Sequence, residues 1–158
     1  MTPAARDGFL LERERSFVLP DTPSKLAENE KGTVMTGSPD VLHGYHVHIY
    51  YNDHTQPIAA KLRDALAADF PVKIGKNSGI AGPHPVPQIQ VIFKREAFQD
   101  VVPWLMLNRE GLDILVHPLS DDEYDDHTAN ALWLGTPVAL KLDTLPHGPY
   151  PAHLLPTG

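Results

Sequence analysis

Histidine is the residue type through which this chain could do chemistry. The sequence holds nine histidines among 158 residues and no cysteine, which excludes disulfides and thiolate chemistry. We therefore expect nitrogen and oxygen ligands for any bound metal. His46 and His48 lie two residues apart in a segment rich in aromatic and β-branched residues. Neutral imidazole is a common ligand of zinc, iron, copper and nickel, so this pair is the first candidate for a metal site.

The His-x-His segment is predicted to be a strand over residues 45–51, ending at the turn formers Asn52 and Asp53. Successive side chains of a strand point to opposite faces, so His46, His48 and Tyr50 share one face. The alternate, more apolar side chains should face helices. A pair of this kind in isolation is more often a surface feature, so the other histidines decide its meaning.

The elements that must position these side chains follow in a regular order. Apolar residues at helical spacing predict helices over about 55–70 and 95–107, and strands are predicted at 72–74, 88–93 and 112–117. This order predicts an α+β fold, a ferredoxin-like βαββαβ sandwich with an open antiparallel sheet face. The predicted parts are an irregular N-terminal extension (1–40), the ferredoxin-like domain (41–143) and a proline-rich C-terminal tail (144–158).

A third ligand is expected from the fourth strand. In the ferredoxin-like order the first strand lies between the third and the fourth, so His117 can lie beside His46. His46, His48 and His117 would then form a three-nitrogen site. Asp113 shares the face of His117 and could supply a carboxylate, but it lies toward the opposite end of the sheet, so three histidines are preferred.

Two further histidines are candidates for proton transfer. His84 lies between Pro83 and Pro85, which stiffen the loop, and it is either an exposed loop residue or a catalytic group. His127 follows an acidic segment whose carboxylates should raise its pKa, which suits a general acid, although a solvated histidine at a helix end is equally consistent. Gln90 and Tyr50 are the candidate substrate-binding residues.

Composition narrows the function further. The net charge is −7 and no cluster of lysine and arginine stands out, which disfavours nucleic-acid partners. No apolar run approaches the length of about 20 residues that a membrane span needs, and the N-terminal residues lack the order of a signal peptide. We therefore expect no membrane partner and a cytoplasmic location.

Four ordered motifs resemble the DOPA 4,5-dioxygenase family of small extradiol dioxygenases. The motifs are Gly44-Tyr45-His46-Val47-His48-Ile49-Tyr50-Tyr51, Gly82-Pro83-His84-Pro85, Gln88-Ile89-Gln90-Val91, and His117-Pro118-Leu119 with Asp125-Asp126-His127-Thr128. The resemblance covers about residues 44–142. It implies a divalent metal, Fe(II) in preference to zinc, and cleavage of the aromatic ring of a catechol such as DOPA with O2.

Two other functions fit the same residues. A three-histidine site with an open position also suits a zinc-dependent hydrolase. A ferredoxin-like sheet could equally serve as a non-catalytic module for small-molecule binding or dimerisation, because fold alone does not decide function. The open sheet face favours a homodimer in either case.

Overall fold

A computed structural model describes residues 41–76 and 79–157 of the chain. The predicted N-terminal extension lies outside the described residues. The main elements, in chain order, are β1 (Tyr45–Tyr50), α1 (Gln56–Asp69), β2 (Val72–Ile74), β3 (Gln88–Phe93), α2 (Phe98–Asn108), β4 (Ile114–Pro118), α3 (Glu123–His127) and β5 (Leu132–Leu134).

The helices form where the sequence predicts them, with local adjustments at their starts. Thr55 precedes α1 and Pro57 lies in its first turn, where a missing N–H is tolerated. The Asn52 side chain accepts the backbone N–H groups of His54 and Thr55. Residues 95–97 form a short 3₁₀ turn, so α2 begins only at Phe98 and carries Pro103 inside it.

The five strands form one antiparallel sheet in the order β2-β3-β1-β4-β5. The first four strands have the order expected of a ferredoxin-like domain, and the architecture is α+β. β1 is central, with β3 on one side and β4 on the other. The order therefore agrees with the predicted fold class, with β5 added beyond β4.

The face of the sheet that meets α1 and α2 forms the apolar core. Val47 and Ile49 of β1 are fully buried there, together with Leu66 of α1 and Leu105 of α2. Val47 and Ile49 alternate along β1 with His46 and His48, as the period of a strand requires. The histidines are thereby directed to the opposite face, which we call the histidine face.

The histidine face is not bare, which corrects one expectation. The predicted open face is covered, because the C-terminal residues fold back over it: Tyr150 packs with Ile92 and Leu119, and Leu154 and Leu155 pack against this small cluster. The Leu154 carbonyl oxygen lies 2.7 Å from His46 Nε2. The homodimer was predicted from a bare sheet face. It stays a prediction, but a bare face no longer supports it.

No helix in the described part of the chain is long and apolar enough to cross a membrane.

Candidate metal centre

Five histidines come together in the interior over the histidine face. Their residual exposures lie between 1% and 5%, although they come from different elements: His46 and His48 from β1, His117 from β4, His84 from the loop before β3 and His127 from the end of α3. Buried imidazoles in contact with one another are unusual for a purely structural role, since each must find its own hydrogen-bond partners. Their convergence is the main feature of the site.

The strand register joins the first three histidines. His46 is directly opposite His117 in the β1–β4 pair, as predicted. The Nε2 atoms of His48 and His117 lie 3.1 Å apart. Asp113, the alternative carboxylate ligand, instead accepts the backbone N–H of Thr136 at 2.7 Å, so it is occupied away from the histidines.

Partners outside the cluster orient several of the rings. His117 Nδ1 donates to the carbonyl oxygen of Pro118 at 2.8 Å, and His48 Nδ1 donates to Gln88 Oε1 at 3.1 Å. With both Nδ1 atoms protonated, the two facing Nε2 atoms carry lone pairs and no proton. Metal-ligating histidines are typically held in this way, with the second ring nitrogen bonded to a carbonyl or carboxylate.

His84 is buried and not an exposed loop residue. The loop places its Nδ1 2.8 Å from the Tyr50 hydroxyl, and its ring lies 4.0 Å, centroid to centroid, from that of His48. Tyr50 in turn stacks on Trp133 at a ring separation of 5.8 Å. Burial removes the alternative of a solvated side chain, and the contacts with Tyr50 and His48 bring His84 into the histidine cluster.

α3 places His127 against His117, with ring centroids 4.0 Å apart. The helix begins at Asp122, whose side chain accepts the N–H of Asp125 and caps the first turn. His127 Nδ1 donates to the carbonyl oxygen of Glu123 at 2.8 Å, which leaves Nε2 free to face the cluster. The acidic segment before His127 is visible in the sequence, and the structure brings this histidine into contact with the others.

The predicted rise in the pKa of His127 is wrong. Burial, the largest cause, lowers its pKa, and the opposing effects of the Glu123 carbonyl and the Asp126 charge are smaller. The Asp126 carboxylate is bound by the backbone N–H and hydroxyl of Ser120 at 2.7 and 2.8 Å. The desolvation of the imidazole therefore outweighs the attraction of the neighbouring carboxylate.

The other four imidazoles are also kept neutral. Burial lowers the pKa of His46 to about 4 and that of His84 to about 3, with smaller contributions from neighbouring histidines. Burial likewise holds the pKa values of His48 and His117 well below their usual range. Neutral imidazole is the form that binds a metal ion.

Two sets of three histidines lie close enough together to bind one metal ion. His46, His48 and His117 form one triad, with one nitrogen of each within 4.8 Å of the others, and His48, His84 and His127 form a second. The first is the predicted ligand set, and the second joins His48 to the two histidines predicted to transfer protons. His48 belongs to both triads.

A cavity of about 90 Å³ opens beside the cluster. Gln90 lines it with four of the histidines, and Tyr150 and Leu154 close it from the C-terminal segment. Gln90 Nε2 lies 3.4 Å from His46 Nδ1. Tyr50 contributes through its bond to His84. A cavity needs about 10–15 Å³ of such volume to hold one water molecule, so this one has room for several non-hydrogen atoms of a ligand.

Sequence reasoning did not identify Tyr150 and Leu154 as parts of this site. The Tyr150 hydroxyl lies 3.4 Å from His117 Nδ1, and its ring packs against that of His46 at 5.9 Å. Both residues lie in a proline-rich segment without strand or helix periodicity. The available signal was a single aromatic residue flanked by Pro149 and Pro151, which by itself predicts only a rigid turn.

Comparisons with known proteins agree with this geometry. The model of the Dopa 4,5-dioxygenase family matches residues 45–144. The chain is 31% identical to a DOPA 4,5-dioxygenase of Amanita muscaria over 87% of its own length and 64% of that protein. It is 33% identical to an uncharacterised 21.2 kDa protein of Botryotinia fuckeliana, over 81% of this chain and 76% of that one.

A solved structure gives the same result. The crystal structure of a candidate dioxygenase from Nostoc punctiforme superposes with a TM-score of 0.65 at 44% identity, covering 68% of this chain and 95% of the other. The chain thus spans less than two thirds of the Amanita enzyme and nearly all of the bacterial protein. With the family match spanning every element from β1 to β5, this chain belongs to the Dopa 4,5-dioxygenase family.

Proposed function

We propose that this protein is a metal-dependent extradiol dioxygenase that cleaves the aromatic ring of a catechol, such as DOPA, with O2. The observation that carries the proposal is the buried cluster of five neutral histidines in a member of a dioxygenase family. A binding or dimerisation module would have no need to hold five imidazoles together out of water, where each loses hydration.

The residues fit a divalent metal ion. Two nitrogens that bind one ion at about 2.0–2.1 Å stand roughly 3 Å apart when their bonds are near right angles, and His48 Nε2 and His117 Nε2 are 3.1 Å apart. Since each of these rings donates its Nδ1 proton elsewhere, the two lone pairs face each other and favour a cation between them. Fe(II) is the proposed metal, with zinc as the alternative.

The proposed ligands are His46, His48 and His117. His46 would bind through Nδ1, because its Nε2 donates to the Leu154 carbonyl oxygen. When bound, the metal would supply a Lewis acid that lowers the pKa of the catechol and a template that brings catechol and O2 together. His84 and His127 would then remain for proton transfer.

Proton transfer in this site starts from neutral imidazoles. His127 Nδ1 donates its N–H to the Glu123 carbonyl oxygen, so the unprotonated Nε2 can accept a proton from a catechol hydroxyl and later return it. His84 is oriented by Tyr50 for the same task. Gln90 lines the cavity and would bind a substrate oxygen, whereas Tyr50 would act on the substrate through His84.

The second triad is the competing ligand set. His48, His84 and His127 each have Nδ1 within hydrogen-bond reach of an oxygen, of Gln88, Tyr50 and Glu123 respectively, which leaves three Nε2 atoms for an ion. In that arrangement His46 and His117 would be the proton-transfer residues. The chemistry proposed for the site is unchanged, but the roles of the two pairs are exchanged.

Oxygen uptake tests the function. The protein is reconstituted anaerobically with Fe(II) or with zinc, mixed with a panel of catechols, and then exposed to air. We expect the Fe(II) protein, and not the zinc protein, to consume O2 with a catechol and to form a yellow ring-cleaved product. Hydrolysis of an ester panel by the zinc protein, without O2 uptake by the Fe(II) protein, would support the hydrolase instead.

Metal content tests the ligand set. The His46→Ala and His84→Ala variants each remove one histidine from only one triad, and metal stoichiometry is measured after dialysis. If the proposed set is right, His46→Ala loses the metal and His84→Ala retains it, with low activity. The reverse result would assign the metal to His48, His84 and His127.

A further inference from the structure

A lysine extends the row of side chains that crosses the histidine face. The strand registers pair Lys73 of β2 with Ile92 of β3, Ile92 with His46 of β1, and His46 with His117 of β4. Residues paired directly across antiparallel strands project to the same face. Since neighbouring strands are about 4.8 Å apart, the backbones of Lys73 and His46 lie roughly 10 Å apart. Their side chains project to the same side of the sheet.

A second cavity lies over this end of the row. It measures about 370 Å³, about four times the 90 Å³ of the histidine cavity, and we call it the β2 cavity. Lys73, Lys76 and His153 line it, and Gln90 and Leu154 belong to the walls of both cavities. A molecule too large for the histidine cavity therefore has its nearest additional room over β2.

The β2 cavity is basic in an acidic protein. The net charge of the chain is −7, yet none of the residues lining this cavity within the described ranges is acidic. Lys61 and Arg63 on α1 form ion pairs with Glu110 and Asp64. Among the described residues Lys73 and Lys76 have no acidic partner within ion-pair distance. Two such ammonium groups beside apolar walls attract an anion at the end of an apolar chain.

We propose that the β2 cavity binds the carboxylate of the substrate's side chain, with Lys73 and Lys76 as its partners, while the aromatic ring occupies the histidine cavity. This inference rests on the proposed function, because it places a catechol at the histidines. Ile92 and Leu154 supply the apolar contacts for the short chain that joins ring and carboxylate. The subsite thereby selects acidic catechols over neutral ones.

Binding to the metal-free protein tests the subsite independently of catalysis. The probes are 3-phenylpropionate and its neutral amide, titrated by calorimetry into the wild-type protein and the Lys73→Gln/Lys76→Gln variant. The acid should bind more tightly than the amide, lose about tenfold in affinity in the variant, and weaken as salt is added. Lys61→Gln/Arg63→Gln is the matched control, since it also removes two positive charges, from α1 on the other side of the sheet, and should leave the affinity unchanged.

Kinetics with the Fe(II) protein provides the second readout. For a catechol with a propionate side chain, the double variant should raise KM about tenfold and leave kcat unchanged, whereas KM for 4-propylcatechol should not change. Lysines that only protect the sheet edge from pairing would leave every one of these values at the wild-type level, and that result would overturn the proposal. Absence of O2 uptake with both catechols, with selective binding of the acid retained, would contradict the proposed function and leave the anion subsite standing.

Discussion

The two faces of β1 are about equally buried and differ in what burial demands of them. Val47 and His46 are neighbours on β1, with exposures of 0% and 2%. Val47 faces α1 and α2 and needs only apolar neighbours of suitable volume. His46 needs a partner for each ring nitrogen, and it finds them in Leu154 and Gln90.

This difference separates stability from chemistry within a single strand. Every buried side-chain nitrogen or oxygen in the described ranges has a polar atom within hydrogen-bond distance, which requires a loop, a helix and the C-terminal segment to fold over the histidine face. For the unprotonated Nε2 atoms of His48 and His117 that neighbour is the other Nε2, so neither accepts a proton from it. Substitutions at adjacent positions of β1 should therefore have different kinds of effect.

His48→Ala should have the largest effect on function. His48 belongs to both histidine triads, so its loss should lower metal affinity by more than the roughly 10–100-fold that losing an outer partner costs. Metal content by mass spectrometry and O2 uptake check this, with thermal unfolding to confirm that the variant is folded. Wild-type metal stoichiometry in this variant would refute both ligand sets.

Ile49→Ala changes the next residue and should have the opposite pattern. Ile49 is fully buried against the helices, so truncating it should reduce the free energy of unfolding by about 2–5 kcal/mol. Urea unfolding measures the loss. Metal affinity, measured below the unfolding transition, should stay within a few fold of wild type, and a large change would show that the two faces are coupled.

Acid should destabilise the metal-free protein through the histidine face. In the unfolded chain a histidine binds a proton below about pH 6.5, whereas the depressed pKa values of His46, about 4, and His84, about 3, keep both neutral in the folded state. The unfolded state then binds more protons between pH 6.5 and these values, so stability falls as the pH is lowered. The slope is up to about 1.4 kcal/mol per pH unit for each histidine.

Urea unfolding at pH 7 and pH 5 measures this slope. The His46→Gln variant should show a shallower pH dependence than wild type. His54→Gln is the control, because His54 is exposed, and it should keep the wild-type slope. An equal free energy of unfolding at the two pH values in the wild-type protein would contradict the neutral assignment.

Tyr50→Phe should have the smallest effect. It removes only the hydroxyl that lies 2.8 Å from His84 Nδ1, a bond worth about 0.5–1.5 kcal/mol. We expect kcat to fall up to about tenfold with metal content unchanged. Tyr51→Phe is the control, because it removes the same hydroxyl group from the next residue, whose side chain packs on the helix side. It should keep wild-type kcat, and similar losses in both variants would remove the special role of Tyr50.

The sequence predicted much of this frame because local periodicity and element order carry it. The His-x-His alternation on β1, the order of the first four strands and the pairing of His46 with His117 all follow from residues near in sequence and from one topology. The direction of the pKa shift of His127 did not follow. The acidic neighbours are visible in the sequence, but the burial that outweighs them depends on contacts with β4.

By itself the sequence determined that a histidine pair lies on one face of a strand, that further histidines recur in ordered motifs, and that the chain resembles one family. Only the tertiary structure decided that His84 and His127 are buried with them and that Tyr150 and Leu154 cover the face. The physical reason is that alternation fixes the side on which a residue lies, whereas burial and neutral charge depend on segments far apart in the chain. The C-terminal residues carry no period that would predict where they pack.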